Sequence, residues 1–271
     1  MTSILTKERL NLELGEDLKI NLRGSAGLLI VGRPGTGKTV LTTFLMLQAM
    51  AKLGARVYII DTKRSDLSHF ARYLRHGDKR VVSSAAQTAR LLRVLNENLN
   101  NRYKNFNSKF GWDWVDYGLR PCLIVMDEVA ATMAEASSGG PKLKNEIQNY
   151  TRSLILKGRQ AGMFMLLSSQ RLSAEVMDRD QTLQLSTRIV MGQADRDTYR
   201  MAFPTADLDA LPTIPNQPGN GLVYSDELNS NFPRPFQAPD LSALEVNKLV
   251  ARLDKKAAGF AYADEAGYWQ W

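Results

Sequence analysis

Residues 28–40 read Leu-Leu-Ile-Val-Gly-Arg-Pro-Gly-Thr-Gly-Lys-Thr-Val, and no other stretch limits the fold as tightly. Gly32, Gly37, Lys38 and Thr39 fit G-x-x-x-x-G-K-[ST], the spacing of a phosphate-cradling loop. Average residue usage gives this arrangement by chance in roughly 1 in 100 chains of this length. Leu28 to Val31 suits a buried strand, and Val40 to Leu53 is long enough for a helix that stops at Gly54. The order strand, loop, helix is the one such a loop requires.

The residue types follow from the chemistry of a polyanion. Several negative charges call for a nest of backbone N–H groups at a helix N-terminus. Pro34 has no N–H, so the donors are expected from Gly35, Thr36, Gly37, Lys38 and Thr39, and the candidate nucleotide-binding set extends to Val40. Lys38 is expected to reach the β- and γ-phosphates of ATP, and the Thr39 hydroxyl to hold Mg²⁺. An ordinary glycine-rich turn before a helix is the plainer alternative.

With 271 residues, 44% of them hydrophobic, the chain can bury a full core, and one large domain with short additions is expected. The 35 Lys and Arg outnumber the 28 Asp and Glu, giving a net charge of +7 that favours an anionic partner. A basic balance alone says little about nucleic acid. The apolar runs fall far short of the ~20 residues a membrane span needs, so no transmembrane segment is expected. The first residues lack the apolar core and cleavage site of a secretory signal. Cys122 has no partner for an internal disulfide, and His69 and His76 make no zinc set. These features fit a cytoplasmic protein.

Ahead of the loop, Leu10, Leu12 and Leu14, then Leu18, Ile20 and Leu22, alternate around Gly15-Glu16-Asp17 and predict a β-hairpin. Beyond the loop, Arg56 to Asp61, Val81-Val82, Met163 to Gln170, Arg188 to Gly192 and Gly221 to Tyr224 read as strands. Ala85 to Tyr103 reads as a long helix, and Asn105 to Arg120 as a packed aromatic connection. The strand Pro121 to Met126 runs into Asp127 and Glu128; after a phosphate loop, Asp127 is expected in the Mg²⁺ shell and Glu128 as the base for the attacking water. Ala134 to Pro141 is expected to be a flexible loop. Lys142 to Gln160 reads as a helix with Leu143, Ile147, Tyr150 and Leu154 inward, which turns Arg152 and Arg159 outward within about 20° of each other. Asp195 to Ala202 is a short helix placing Arg196 and Arg200 on one face. Residues 231–239 look like a proline-rich linker, Ser242 and Glu245 like a capping box opening a helix to about Lys256, and residues 259–271 like an aromatic tail.

Together these pieces resemble the motor domain of the FtsK/SpoIIIE family of DNA translocases. The likeness rests on GRPGTGKT at 32–39, IIDTK at 59–63, NNRYK at 100–104, IVMDE at 124–128, KGRQAG at 157–162, LLSSQR at 166–171, STRI at 186–189 and GNGLVY at 219–224. It implies an α/β fold: a RecA-like P-loop ATPase core (24–230) with a mostly parallel sheet flanked by helices, preceded by the hairpin (1–23) and followed by a C-terminal helical tail (231–271). It also implies a hexameric homo-oligomer with ATP at subunit boundaries and double-stranded DNA in the channel. Within it, Arg159 matches the arginine that reaches a neighbour's γ-phosphate, and Gln170 the residue that senses that phosphate. A salt-bridged surface arginine is the alternative at 159. Arg171, Arg196 and Arg200 match basic residues that grip DNA. The family's lysine between QR and TRI is Thr182 here, with Arg179 nearby, and the proline after QR is Leu172.

The larger relatives carry membrane-spanning N-terminal segments and a C-terminal winged helix, for which this chain has no room. It is therefore expected to resemble the compact soluble motors encoded by plasmids, conjugative elements or phages, which would borrow membrane attachment and DNA-site choice from a partner protein. The expected function is ATP-driven duplex-DNA translocation in conjugative transfer or mobile-element maintenance. Alternatives are a ring ATPase moving protein or aiding DNA-end processing, and a nucleotide-binding assembly protein that does not hydrolyse.

Overall fold

A computed structural model of the chain describes residues 5–15, 18–106, 108–173, 177–228 and 232–263. The turn expected at Glu16-Asp17, and residues 264–271 of the aromatic tail, lie outside the described residues.

The predicted hairpin is present. β1 (Asn11–Glu13) pairs antiparallel with β2 (Lys19–Asn21), with Leu12 opposite Ile20. Then come β3 (Gly27–Gly32), α1 (Lys38–Leu53), β4 (Arg56–Ile60), the one-turn α2 (Gly77–Arg80), β5 (Val81–Val82) and α3 (Ala85–Asn105). They are followed by β6 (Cys122–Met126), α4 (Val129–Ser138), α5 (Pro141–Ala161), β7 (Met163–Ser169), α6 (Arg179–Gln184) and β8 (Thr187–Met191). The chain continues with α7 (Arg196–Ala202), β9 (Asn220–Ser225), β10 (Arg234–Gln237) and α8 (Val246–Ala257).

The main sheet runs β10-β9-β8-β3-β7-β6-β4-β5. β9 is antiparallel to both neighbours, and every other pairing is parallel. Period-two side-chain alternation sends Leu28, Ile30, Leu123, Val125, Phe164 and Leu166 to one face, where α1, α8 and the hairpin cover them. Leu29, Val31, Ile124, Met126, Met165 and Leu167 go to the other, under α3, α4 and α5. With both faces covered, the central strands have no polar side to show, so they read as continuous apolar runs.

The hairpin docks on α1 through a side chain that imitates a strand. Gln48 Oε1 accepts from the Glu13 amide at 2.9 Å, and its Nε2 donates to the Glu13 carbonyl at 2.8 Å. Close packing also explains part of the KGRQAG stretch. A Cβ on Gly158 would stand 2.0 Å from the Met163 carbonyl oxygen, so α5 can lie this close to β7 only with glycine there. Arg102 of the NNRYK stretch is buried and donates to the carbonyls of Ala161 and Arg120, tying the ends of α3 and α5 to the start of β6.

Three expectations are corrected. The loop expected at Ala134 to Pro141 is mostly helix: α4 runs to Ser138, the hydroxyls of Ser137 and Ser138 bond back one turn to Met133 and Ala134, and Pro141 opens α5. Alanines there favour helix, and only Gly139-Gly140 breaks it. The stretch expected as a linker carries β10, an edge strand on β9 in which Phe236 is buried; an edge tolerates Pro235 because no ladder bond is lost to solvent. Asn231 lies outside the described residues. The capping box does not form. α8 starts at Val246 without a side-chain cap, and Ser242 bonds instead to Asp240 at 2.7 Å. Beyond α8, Phe260 packs against Gly54, and the Tyr262 hydroxyl donates to the Leu53 carbonyl.

Candidate active site

The C-terminal ends of parallel strands lie along one sheet edge, the usual ligand-binding edge of such folds. β3 delivers the glycine-rich loop to it. Gly35 and Gly37 have φ of 79° and 98°, conformations a side chain would resist, and α1 begins at Lys38 with no side-chain cap on its first amides. The Lys38 ammonium donates to the carbonyls of Gly32 at 2.5 Å and Arg33 at 3.1 Å, so the loop closes around its own lysine. Thr36 bonds back to the Arg33 carbonyl at 2.8 Å. Thr39 and Val40 follow in the first turn, Val40 exposed.

β6, two strands away with β7 between, brings Asp127 and Glu128 to the same edge, 8% and 5% exposed. Burial lowers the Lys38 proton affinity, and the charges of Glu128 and Asp127 oppose that shift, which places lysine and acids in one electrostatic neighbourhood. Burial pushes the Asp127 carboxyl up from its ordinary value, and the nearby Asp61 charge adds to the rise. Among the described residues the Asp127 carboxylate has no ion pair and one hydrogen-bond neighbour, the Ser65 hydroxyl at 3.1 Å, which lies equally close to Asp61. A buried carboxylate so poorly partnered fits the oxygen ligands that a hard divalent cation takes.

Glu128 is better held. It sits in the left-handed region (φ 65°, ψ 77°) at the start of α4, and its carboxylate accepts from the Gln170 amide at 3.1 Å and the Lys63 ammonium at 3.1 Å, with the Ser169 hydroxyl, whose nearer acceptor is the Arg171 carbonyl, also 3.1 Å away. Gln170 therefore reaches the acid through its backbone. The Lys63 and Asp61 contributions were missed in the sequence. Their signal is the polar Asp-Thr-Lys directly after an apolar strand, the same punctuation that marked Asp127-Glu128.

Lys38, Asp127, Glu128 and Gln170 are thus together, and Arg159 is not among them. Arg159 lies exposed near the C-terminal end of α5, which leads into the start of β7, whereas Gln170 follows the end of that strand. Seven strand residues at ~3.3 Å each put roughly 20 Å between them. Arg171 is exposed just past β7. Arg196 and Arg200 stand on α7, paired with Asp209 at 2.9 Å and Asp197 at 3.1 Å in open solvent. Thr182 is only 1% exposed and its hydroxyl is used on the Asp178 carbonyl at 3.0 Å. Arg179, on the same helix, shares with Arg200 a cleft of about 340 Å³.

The FtsK/SpoIIIE family model matches residues 5–111. Over 200 residues, 72% of the chain, the sequence is 32% identical to the Ftsk domain-containing protein YdcQ of Bacillus subtilis (strain 168), of which 40% is covered. The chain belongs to the FtsK/SpoIIIE family. It is also 23% identical over 279 aligned positions to the DNA translocase FtsK of Clostridium acetobutylicum, covering 96% of this chain and 35% of that one. The chain therefore spans well under half the length of these two relatives. Among solved structures, the fold is similar to that of the pCW3 conjugation coupling protein TcpA in a monomer form with ATPγS: TM-score 0.73, 20% identity, 92% of this chain and 72% of that one. The chain of EssC (ATPases 2 and 3) from Geobacillus thermodenitrificans is also similar, at a TM-score of 0.68 and 16% identity, over 95% of this chain and 51% of that one. The mostly parallel sheet and its covering helices are the arrangement the chain shares with these structures. No helix among the described residues is long and apolar enough to cross a membrane.

Proposed function

We propose that this chain is the motor portion of an ATP-driven double-stranded DNA translocase that works as a homo-oligomeric, hexameric ring in conjugative transfer or mobile-element maintenance. The observation that carries the reading is the meeting of Lys38 with Asp127 and Glu128 at one sheet edge in a family member. The amides of residues 35–40 cradle the phosphates and Lys38 neutralises the β–γ bridge. Thr39 and Asp127 would hold Mg²⁺, which would supply charge neutralisation of the phosphates when bound. Glu128 orients the attacking water and takes its proton, and Gln170, just past the end of β7, senses the γ-phosphate. Arg159, too far from the site of its own chain, serves the neighbour's, so each site belongs to two subunits. Arg171, Arg196 and Arg200 contact DNA phosphates; such contacts carry no sequence information, and binding weakens steeply with salt.

The test is the ATPase rate of the purified chain with and without duplex DNA across a salt series. Duplex DNA should stimulate hydrolysis at low salt and progressively less as salt rises. Glu128→Gln should still bind ATP while hydrolysing it ~10²–10⁴-fold more slowly. No stimulation by duplex DNA at low salt would overturn the DNA reading, and a Glu128→Gln variant as fast as the parent would overturn hydrolysis at this site.

A further inference from the structure

Lys63 has no part in the reaction just described, yet it is the one side chain committed to the proposed base. Its ammonium lies 3.1 Å from Glu128 Oε2, and Glu128 is its sole ion-pair partner among the described residues. The other side chain in reach, Ser169, has a single hydroxyl proton and a nearer acceptor in the Arg171 carbonyl, at 2.7 Å against 3.1 Å for Glu128 Oε1. The Gln170 amide lies within 3.2 Å of both carboxylate oxygens, so it anchors the group without choosing which way it turns. Asp127 is the adjoining residue, and Asp61 is close enough to act on Asp127 electrostatically. Asp127 and Glu128 repel each other, and Lys63, arriving from the turn after β4, supplies an opposing pull on the Glu128 carboxylate.

We infer that Lys63 is a positioning residue for hydrolysis, which draws Oε2 toward the β4 side and so leaves Oε1 facing the water that attacks ATP. The lysine touches neither phosphate nor water; it acts through Glu128. The inference rests on Glu128 being the base. An orientation lost by about an ångström costs on the order of 10²-fold in rate, and an ion pair at the edge of a buried site is well placed to prevent that loss.

The experiment compares Lys63→Met, Lys63→Arg, Glu128→Gln and the double variant Lys63→Met/Glu128→Gln in the full chain. Steady-state ATP hydrolysis is measured beside the affinity for a fluorescent non-hydrolysable ATP analogue. Lys63→Met should lower kcat ~10–100-fold while analogue affinity and KM stay within about threefold, and Lys63→Arg should recover most of the loss. In the Glu128→Gln background, Lys63→Met should slow hydrolysis no further, because the group it positions is gone. Parental kcat in Lys63→Met would overturn the inference. So would an equal slowing by Lys63→Met with Glu128 present or absent, which would mean that the lysine acts elsewhere. Failure of the underlying reading looks different: Glu128→Gln would then hydrolyse at the parental rate.

Discussion

Asp127 and Asp254 are both buried carboxylates, and their proton affinities move in opposite directions. Asp127 loses water, faces Asp61, and gains only the Ser65 hydroxyl and the Lys38 charge in return, so its carboxyl stays above its ordinary value. The sign follows from linkage: a carboxyl whose folded value is raised binds its proton more tightly in the folded state. Its ionised form therefore costs stability, a cost that grows as pH rises from the unfolded value through the folded one. Asp127→Asn keeps an acceptor for Ser65 and removes the charge. We expect this variant to melt ~2 °C or more above the parent at pH 7 while losing hydrolysis, the exchange of stability for function common at active sites. A lower melting temperature in differential scanning fluorimetry would show that Asp127 is structurally paired after all.

Asp254 is the opposite case and joins two elements. Burial alone would raise its carboxyl, but Arg80 together with the Arg75 amide and guanidinium outweighs it, and the net shift is downward from the ordinary value. Its oxygens lie 2.7 Å from Arg80 Nη1 and 2.9 Å from the Arg75 amide, bolting α8 to the loop and short helix before β5. A lowered folded value means stability that is fully present above the unfolded value near 3.8 and is lost as pH falls through the folded one. Acid unfolding should thus draw on this pair below about pH 4, and Asp254→Asn should flatten that limb of the stability curve in urea melts. At neutral pH, Asp254→Ala strands the buried Arg80 and should cost ~3 kcal/mol or more. A loss under ~1 kcal/mol would place the docking of α8 in its apolar contacts alone.

For the molecule as a whole, the position of Arg159 sets the requirement. If each site takes this arginine from a neighbour, Arg159→Ala subunits should bind ATP normally and hydrolyse little. Mixing them with inactive Lys38→Ala subunits should then restore part of the activity, because some boundaries pair an intact loop with an intact arginine. ATPase per subunit should also fall on dilution, followed beside particle mass on the same sample. Hydrolysis proportional to concentration in dilute monomers, or no recovery on mixing, would exclude a shared site.

The glycine-rich loop, the strands on either side of it, Asp127-Glu128 and the outward turn of Arg159 were all legible in the sequence. Each is set by local constraints: glycine where φ is positive, apolar runs where both sheet faces are covered, and a 3.6-residue period along α5. What local patterning could not supply is everything decided by approach in space. The helical state of residues 134–138 was hidden because small residues suit loops and helices alike. Strand pairing hid β10, since its register belongs to β9 and its prolines argue for a linker. Thr182 needed the tertiary structure to be read as buried, and so did Arg179 to be placed beside Arg200. Lys63 is the plainest instance, separated from Glu128 by sixty-five positions in the chain and by 3.1 Å in the fold. Sequence determined which residues could carry phosphate chemistry; the order of strands in the sheet decided which of them meet, and that Arg159 does not.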